Sequence, residues 1–283
     1  MSLKTRTLTG VVFGAVMILG TVLNAYACAV LFLLVGIACL WEYSGLVFAT
    51  DSPPPFTFLR KVLATKIGIL PTLLLICSTW NIFPLTAPIL LIALPLIFGL
   101  FLFELFAQSA RPFDNIGLTL LGLVYVGVPI FLVDYLCLKQ PDFGHLLVMA
   151  MLAIVWASDS FAYLIGSKIG KTPFFPRISP KKTWEGTLSG VGGALLIGVA
   201  CAYIFPTIGY TLPQWLGIAF VATVFGTLGD LVESMLKRAL GIKDSGTILP
   251  GHGGFLDRFD AFIFLVPFVL FLILAVFGDA RFL

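Results

Sequence analysis

The sequence predicts an all-α protein that lies in a lipid bilayer and crosses it about nine times. Three observations carry this. Of the 283 residues, 59% are hydrophobic and 11% are charged, with a mean hydropathy of +1.08. So few charges cannot cover the water-exposed surface of a domain this size. Apolar runs of membrane-spanning length recur along the whole chain, and the basic residues collect on alternate connections between them.

A spanning helix needs about 20 mainly apolar residues. Such runs fall near 8–24, 26–49, 62–79, 86–107, 116–137, 145–168, 184–205, 212–232 and 259–278. Pro71, Pro95 and Pro129 stand inside three of them and are expected to kink their helices. Lys4 and Arg6 precede the first run, as in a cleaved leader. Ala25-Tyr26-Ala27 leads straight into more apolar sequence, however, so the first helix is read as retained. The chain divides into an N-terminal region, 1–140, of about five spans and a catalytic membrane region, 141–283, of about four. Two long polar connections, 169–183 and 237–258, belong to the second.

Cytoplasmic loops carry an excess of Lys and Arg. With the N-terminus inside and the sides alternating, fifteen basic residues fall on the inner side: Lys4, Arg6, Arg60, Lys61, Lys66, Arg111, Lys168, Lys171, Arg177, Lys181, Lys182, Lys237, Arg238, Lys243 and Arg258. Only Lys139 and Arg281 fall outside. This asymmetry predicts a cell-membrane protein with a cytoplasmic N-terminus and an external C-terminus. The links near 81–86 and 207–214 are short and poor in charge, whereas both long polar connections face the cytoplasm. Function is expected there. The net charge of +3 says little beside this placement, and no nucleic-acid partner is expected.

Cys28, Cys39, Cys77, Cys137 and Cys201 lie within or beside apolar runs, none in a CxxC pair, and are read as small fillers. His145 falls on the external side and is read as incidental. Glu42 and Glu104, near or within apolar spans, are expected to hydrogen-bond between helices.

The densest polar cluster runs from Gly229-Asp230 to Phe259-Asp260. It holds five acids (Asp230, Glu233, Asp244, Asp257, Asp260) and four bases (Lys237, Arg238, Lys243, Arg258). A plain anchoring loop would be basic only. Acids for hard cations beside bases for phosphate oxygens suit a metal-bound nucleotide. Asp230, Ser234 and Lys237, at i, i+4 and i+7, share one face of a continuing helix. Asp257 and Asp260 open the last span. Gly246, Gly251, Gly253 and Gly254 allow several N–H groups to turn toward one anion, and His252 among them can donate to a phosphate. Oxygen ligands without a cysteine cluster point to Mg2+ or a similar hard ion.

Two further segments join it. Asp159 sits nine residues before Lys168, about 13 Å along a helix. A carboxylate at that depth costs on the order of 3 kcal/mol unless water, a partner or a metal meets it. Tyr163 and Gly166 fall on the same face, for lining or for packing. The third segment, Arg177 to Gly186, carries Ser179, Lys181, Lys182 and Thr183, donors suited to a phosphate-rich ligand or anionic headgroups. A simple membrane anchor accounts for its lysines but not for Glu185, Gly186 and the hydroxyls.

These residues closely resemble the phosphatidate cytidylyltransferase (CDP-diacylglycerol synthase) family. Its long signature stands here as Ser234-x-x-Lys237-Arg238, Lys243-Asp244-Ser245-Gly246, Pro250-Gly251-His252-Gly253-Gly254-Phe255 and Asp257-Arg258-Phe259-Asp260, over 27 residues. The Asp159 and Ser179–Gly186 segments resemble the family's other blocks, with Phe161 where the family has a smaller residue. The likeness is strong over about 150–260. It implies transfer of the cytidylyl group of CTP to phosphatidic acid, dependence on magnesium with room for a second cation, contact with membrane lipids and a homodimer. It further implies that Asp230 and Asp257 hold metal, assisted by Asp260 or Asp159. Lys237, Arg238, Lys243 and Arg258 would neutralise phosphates, and Lys181 and Lys182 would guide either substrate. Ser179, Ser234, Asp244, His252, Gly253 and Gly254 complete the substrate-binding set. A CTP-dependent polyprenol or lipid kinase and an ion-coupled transporter are the competing readings.

Overall fold

The computed structural model describes residues 3–48, 54–80, 89–242, 245–246 and 253–282. The architecture is all-α with one short hairpin. In chain order the helices are α1 (Leu3–Leu23), α2 (Ala25–Val47), α3 (Pro54–Thr79), α4 (Ile89–Ala107), α5 (Pro112–Gly122), α6 (Val128–Lys139) and α7 (Gly144–Ile169). Strands β1 (Pro173–Phe175) and β2 (Ser179–Thr183) follow, then α8 (Trp184–Ile204), α9 (Leu212–Ala239) and α10 (Leu256–Phe271). Among the described residues, seven helical rods are long and apolar enough to cross a membrane. Shorter apolar helices at Thr9–Leu23 and Pro95–Ala107 occupy the first and fourth expected positions.

Local chemistry sets the helix boundaries. Asn24 caps α2 by accepting from the Ala27 N–H at 2.8 Å. Thr211 and Gln214 form a capping box at α9, with a proline in its first turn. α5 and α6 make one continuous rod, Pro112–Lys139, joined by a π turn at Leu123–Gly127. Pro129 follows that turn directly. Its ring lacks an N–H and collides with the carbonyl four residues back, and the widened turn absorbs the mismatch.

Small residues bring α7 and α8 into near-backbone contact. A Cβ on Gly190 would lie 3.0 Å from the Ser158 carbonyl oxygen, and one on Gly186 would lie 3.0 Å from that of Ala162. Without a hydrophobic drive between helices in lipid, such close packing is what holds them together. Gly193 makes room on the same stripe for the Phe161 ring, which accounts for the larger residue there. The core is built mainly by α2, α6, α7, α9 and α10. Phe32 stacks on Phe262 at 5.4 Å, and Trp215 and Ile130 are fully buried. The outer faces remain apolar, with Leu105, Phe106, Tyr203 and Phe271 exposed as a lipid-facing surface requires.

Two polar knots tie the bundle away from the cavity described below. At the far end, Arg281 pairs with Asp279, donates to the Ile208 carbonyl at 2.7 Å and lies over the Phe143 and Tyr210 rings. Its guanidinium holds the Asp279 carboxyl below the usual carboxylate range. In the N-terminal half, Arg60 forks onto Glu104 at 2.6 and 3.1 Å, and Asn115 and Ser109 also donate to Glu104. Glu104 therefore links α3, α4 and α5, as expected of a helix-to-helix acid. Cys137 donates to Cys28 at 3.0 Å, and the five cysteines are free.

Breaking a fully buried pair leaves an uncompensated charge. Glu104→Gln is expected to destabilise the detergent-solubilised protein by about 3 kcal/mol, read from its thermal or denaturant unfolding. A loss below about 1 kcal/mol, the value of a surface pair, would contradict the role given to Glu104.

Candidate functional site

Three segments remote in sequence meet around a cavity of about 550 Å³ at one end of the bundle. Asp159 and Tyr163 come from α7, Lys181 and Lys182 from β2, Thr187 from α8 and Asp230 from α9. The Lys182 ammonium pairs with the Asp230 carboxylate at 2.5 Å, and the side chains keep 25% and 37% exposure. Ser234 donates to the other Asp230 oxygen at 3.4 Å. Asp159 lines the cavity, and its side chain is exposed to it. It lies within electrostatic reach of Asp230, Lys182 and Arg258.

The hairpin that presents the two lysines is held by the residues around it. Thr183 caps α8 by accepting from the Gly186 N–H at 3.2 Å. Glu185 reaches back to the Lys171 and Thr172 N–H groups and to the Thr172 hydroxyl, clipping the loop that follows α7. Phe174 packs edge-on against Trp184 at 4.6 Å. Glu185, Gly186 and Thr183 thus have structural work, while Lys181 and Lys182 are left to the cavity. Ser179 sits opposite Phe175 at the other end of β2, away from the lining.

A second cluster is built on Asp257 in the first turn of α10. One oxygen accepts from Lys237 at 2.7 Å, and the other accepts from the Ser245 and Gly254 N–H groups at 2.9 and 3.0 Å. Lys237 also pairs with Glu233, one turn back on α9. Asp230, Ser234 and Lys237 share one unbroken helix, α9, as their spacing expects, but their partners differ. Asp230 and Ser234 serve the cavity, and Lys237 bridges α9 to α10. Gly253, with φ of +82°, makes the turn that aims the Gly254 N–H at Asp257.

The remaining expected residues are placed as follows. Asp260 is buried, accepts from the Ala261 N–H at 2.7 Å, and feels the charges of Asp230 and Glu233. Arg238 is exposed and closes the end of α9 by donating to the Ile242 carbonyl at 3.1 Å. Arg258 is exposed on the first turn of α10. Lys243, Asp244 and His252 lie outside the described residues. Two acids named in the sequence analysis were given no site role there, Glu42 being expected only to hydrogen-bond between helices, which it does. The role of Glu233 could have been found by its i, i+4 spacing to Lys237. Glu42 accepts from the Leu256 N–H at 2.9 Å and the Ser245 hydroxyl at 3.3 Å. It announced itself only as a charge in an apolar run.

A hard cation that keeps its own waters and shares triphosphate oxygens needs only one or two protein carboxylates. Asp159 and Asp230, both facing the cavity, meet that requirement. Asp257 has both oxygens engaged by protein donors. Among the described residues no group of three or more His, Cys, Asp or Glu side chains is gathered around one point. The cavity therefore suits a cation that arrives with an anionic ligand. Its two lysines can hold phosphate oxygens. Ala162 and Tyr163, the latter 75% exposed, also line the cavity and give it apolar surface beside its charges, as an amphipathic ligand needs.

The sequence profile of the cytidylyltransferase family matches residues 4–276. The chain is 33% identical over 264 residues to the phosphatidate cytidylyltransferase of Bacillus subtilis (strain 168), covering 89% of this chain and 96% of that protein. It is 38% identical over 174 residues to that of Staphylococcus aureus (strain COL), covering 61% and 64%. For that of Staphylococcus haemolyticus (strain JCSC1435) the figures are 36% over 179 residues, 62% and 66%.

A hydrogen bond to a charged acceptor is worth about 1.5–3 kcal/mol. Asp257→Ala is therefore expected to speed amide exchange at Ser245 and Gly254 by about tenfold or more. Exchange unchanged at both amides would show that Asp257 does not hold this loop.

Proposed function

This chain belongs to the cytidylyltransferase family, and from that premise we propose that it transfers the cytidylyl group of CTP to phosphatidic acid. The products are CDP-diacylglycerol and pyrophosphate. The observation that carries the reading is the cavity where Asp159, Lys182 and Asp230, from three distant segments, converge beside the exposed Tyr163. Such a cavity suits a water-soluble triphosphate and a lipid headgroup together.

The reaction is an in-line displacement. An oxygen of the lipid phosphate forms a bond to the α-phosphorus of CTP, and the bond from that phosphorus to the bridging oxygen breaks. The electron pair leaves with pyrophosphate. The lipid phosphate is anionic at neutral pH, so no strong base is required. The rate comes from positioning and from neutralising charge. Lys181 and Lys182 hold phosphate oxygens, and Lys182 exchanges its contact with Asp230 for substrate. Asp230 and Asp159 would hold a magnesium ion, which would neutralise triphosphate charge. Lys237, kept in place by Asp257 and Glu233, and Arg258 face the phosphates from the α9–α10 side. Asp257 thus acts by holding Ser245 and Gly254. Lys243, Asp244 and His252 belong to the substrate-binding set in this reading.

The cavity faces the cytoplasm of the cell membrane, because most basic residues fall on that side when spans alternate. Region 1–140 is the scaffold and 141–283 the catalytic part. The exposed apolar helix faces support contact with membrane lipids, and the family resemblance supports a homodimer.

The test is a purified-protein assay with CTP labelled at the γ-phosphate, phosphatidic acid and magnesium. Label is expected in pyrophosphate, and no CDP-diacylglycerol is expected without magnesium. Label in lipid would instead identify a kinase. Charge-dependent flux in liposomes without CTP consumption would identify a transporter. Lys182→Met and Asp257→Asn are each expected to lower kcat/KM by about 100-fold or more while leaving the protein folded. Wild-type turnover in either variant would refute its role.

A further inference from the structure

We propose that Glu42, on α2 in the N-terminal half, is a positioning residue that fixes Ser245-Gly246 and the Gly254–Leu256 start of α10. Through them it sets Asp257 and Lys237 for the triphosphate. The proposal rests on the cytidylyl-transfer reading and adds a residue from outside the catalytic segments.

Glu42 is 6% exposed, and one of its oxygens accepts from both the Leu256 N–H, at 2.9 Å, and the Ser245 hydroxyl, at 3.3 Å. Leu256 is the first residue of α10, where the N–H groups lack helical partners and a negative charge is favourable. Asp257 grips the same segment from the other side, through the Ser245 and Gly254 N–H groups. Two carboxylates 215 positions apart in sequence therefore clamp one loop.

The clamp leaves no room for side chains. A Cβ on Gly246 would lie 2.5 Å from one Glu42 oxygen, and a Cβ on Gly254 would lie 2.4 Å from the other. Both glycines are thus explained by Glu42 as much as by loop conformation. The other, buried oxygen of Glu42 has no hydrogen-bond partner among the described residues. An acid kept in apolar surroundings at that cost is more than a helix filler. The contrast is Glu104, whose partners are all structural and lie elsewhere in the N-terminal half.

The experiment compares Glu42→Ala, Glu42→Gln and the control Glu104→Gln in the full-length purified protein. It measures kcat, KM for each substrate, thermal stability and amide exchange of a peptide covering 253–256. Glu42→Ala is expected to speed exchange there about tenfold or more. It should also raise KM for CTP and lower kcat, so that kcat/KM for CTP falls about tenfold or more, with KM for phosphatidic acid within about twofold. Glu42→Gln keeps the shape and one acceptor, so it should recover most of that loss. It carries the test if the alanine variant does not fold, with the same changes at about threefold. Glu104→Gln should lower stability without changing KM for CTP.

The proposal is overturned if Glu42→Ala leaves both the exchange and KM for CTP unchanged. It is equally overturned if Glu104→Gln raises KM for CTP as much, because the effect would then be general loosening. Absence of cytidylyl transfer in the wild-type protein would sink the functional reading instead. The exchange measurement would still decide whether Glu42 holds the loop.

Discussion

A charge inside a bundle of apolar helices must be answered by an opposite charge, a hydrogen-bond donor or open water, and this constraint organises the groups around the cavity. Glu104 is answered completely, by Arg60, Asn115 and Ser109, and it is frame. Lys237 is answered by Glu233 and Asp257 and bridges two helices. Lys182 and Asp230 answer each other at the wall of a cavity, with part of each side chain still accessible. The last arrangement differs in kind. A pair that is adequate but not enclosed can be opened by a more highly charged ligand, whereas a pair sealed in protein cannot.

The cavity exists because α7, α8 and α9 are held at different separations. The glycines of α8 let it lie against α7 with carbonyl oxygens almost in van der Waals contact with its backbone. Asp159, beyond that contact, faces the opening that results. The hairpin then folds back across the end of α7, and the Glu185 clip decides which of its side chains reach the cavity. On the other side α9 and α10 are bolted together by Lys237, and Ser245, Gly254 and Leu256 are held by Asp257 and Glu42. Binding groups from separate segments thus hang on a frame held by its own ion pairs and close helix packing.

Hydropathy and charge placement made most of the bundle legible, because the bilayer imposes its own length on every span. They were silent on the π turn at Leu123–Gly127, which depends on how Pro129 is accommodated, and on the β1–β2 hairpin, too short to carry a pattern. Spacing grouped Asp230 with Ser234 correctly. It also placed Lys237 on that helix, where its partners are Glu233 and Asp257 instead. The energetic argument for Asp159 anticipated its exposure to open space. Glu42 was illegible in its detail, since its partners lie more than 200 residues away and a helix-bound acid carries no local sign of what it caps.

The account stands on Lys182 and Asp230 acting as one unit in the transfer step. The direct measurement is a double-mutant cycle on pyrophosphate release, using Lys182→Met, Asp230→Asn and the double variant in purified protein. Residues that act together lose less in combination than the sum of their separate losses. The account predicts that the double variant is about as impaired as the worse single variant. Losses that simply add would show that the two side chains work independently, and the cavity would lose its claim to be where the chemistry happens.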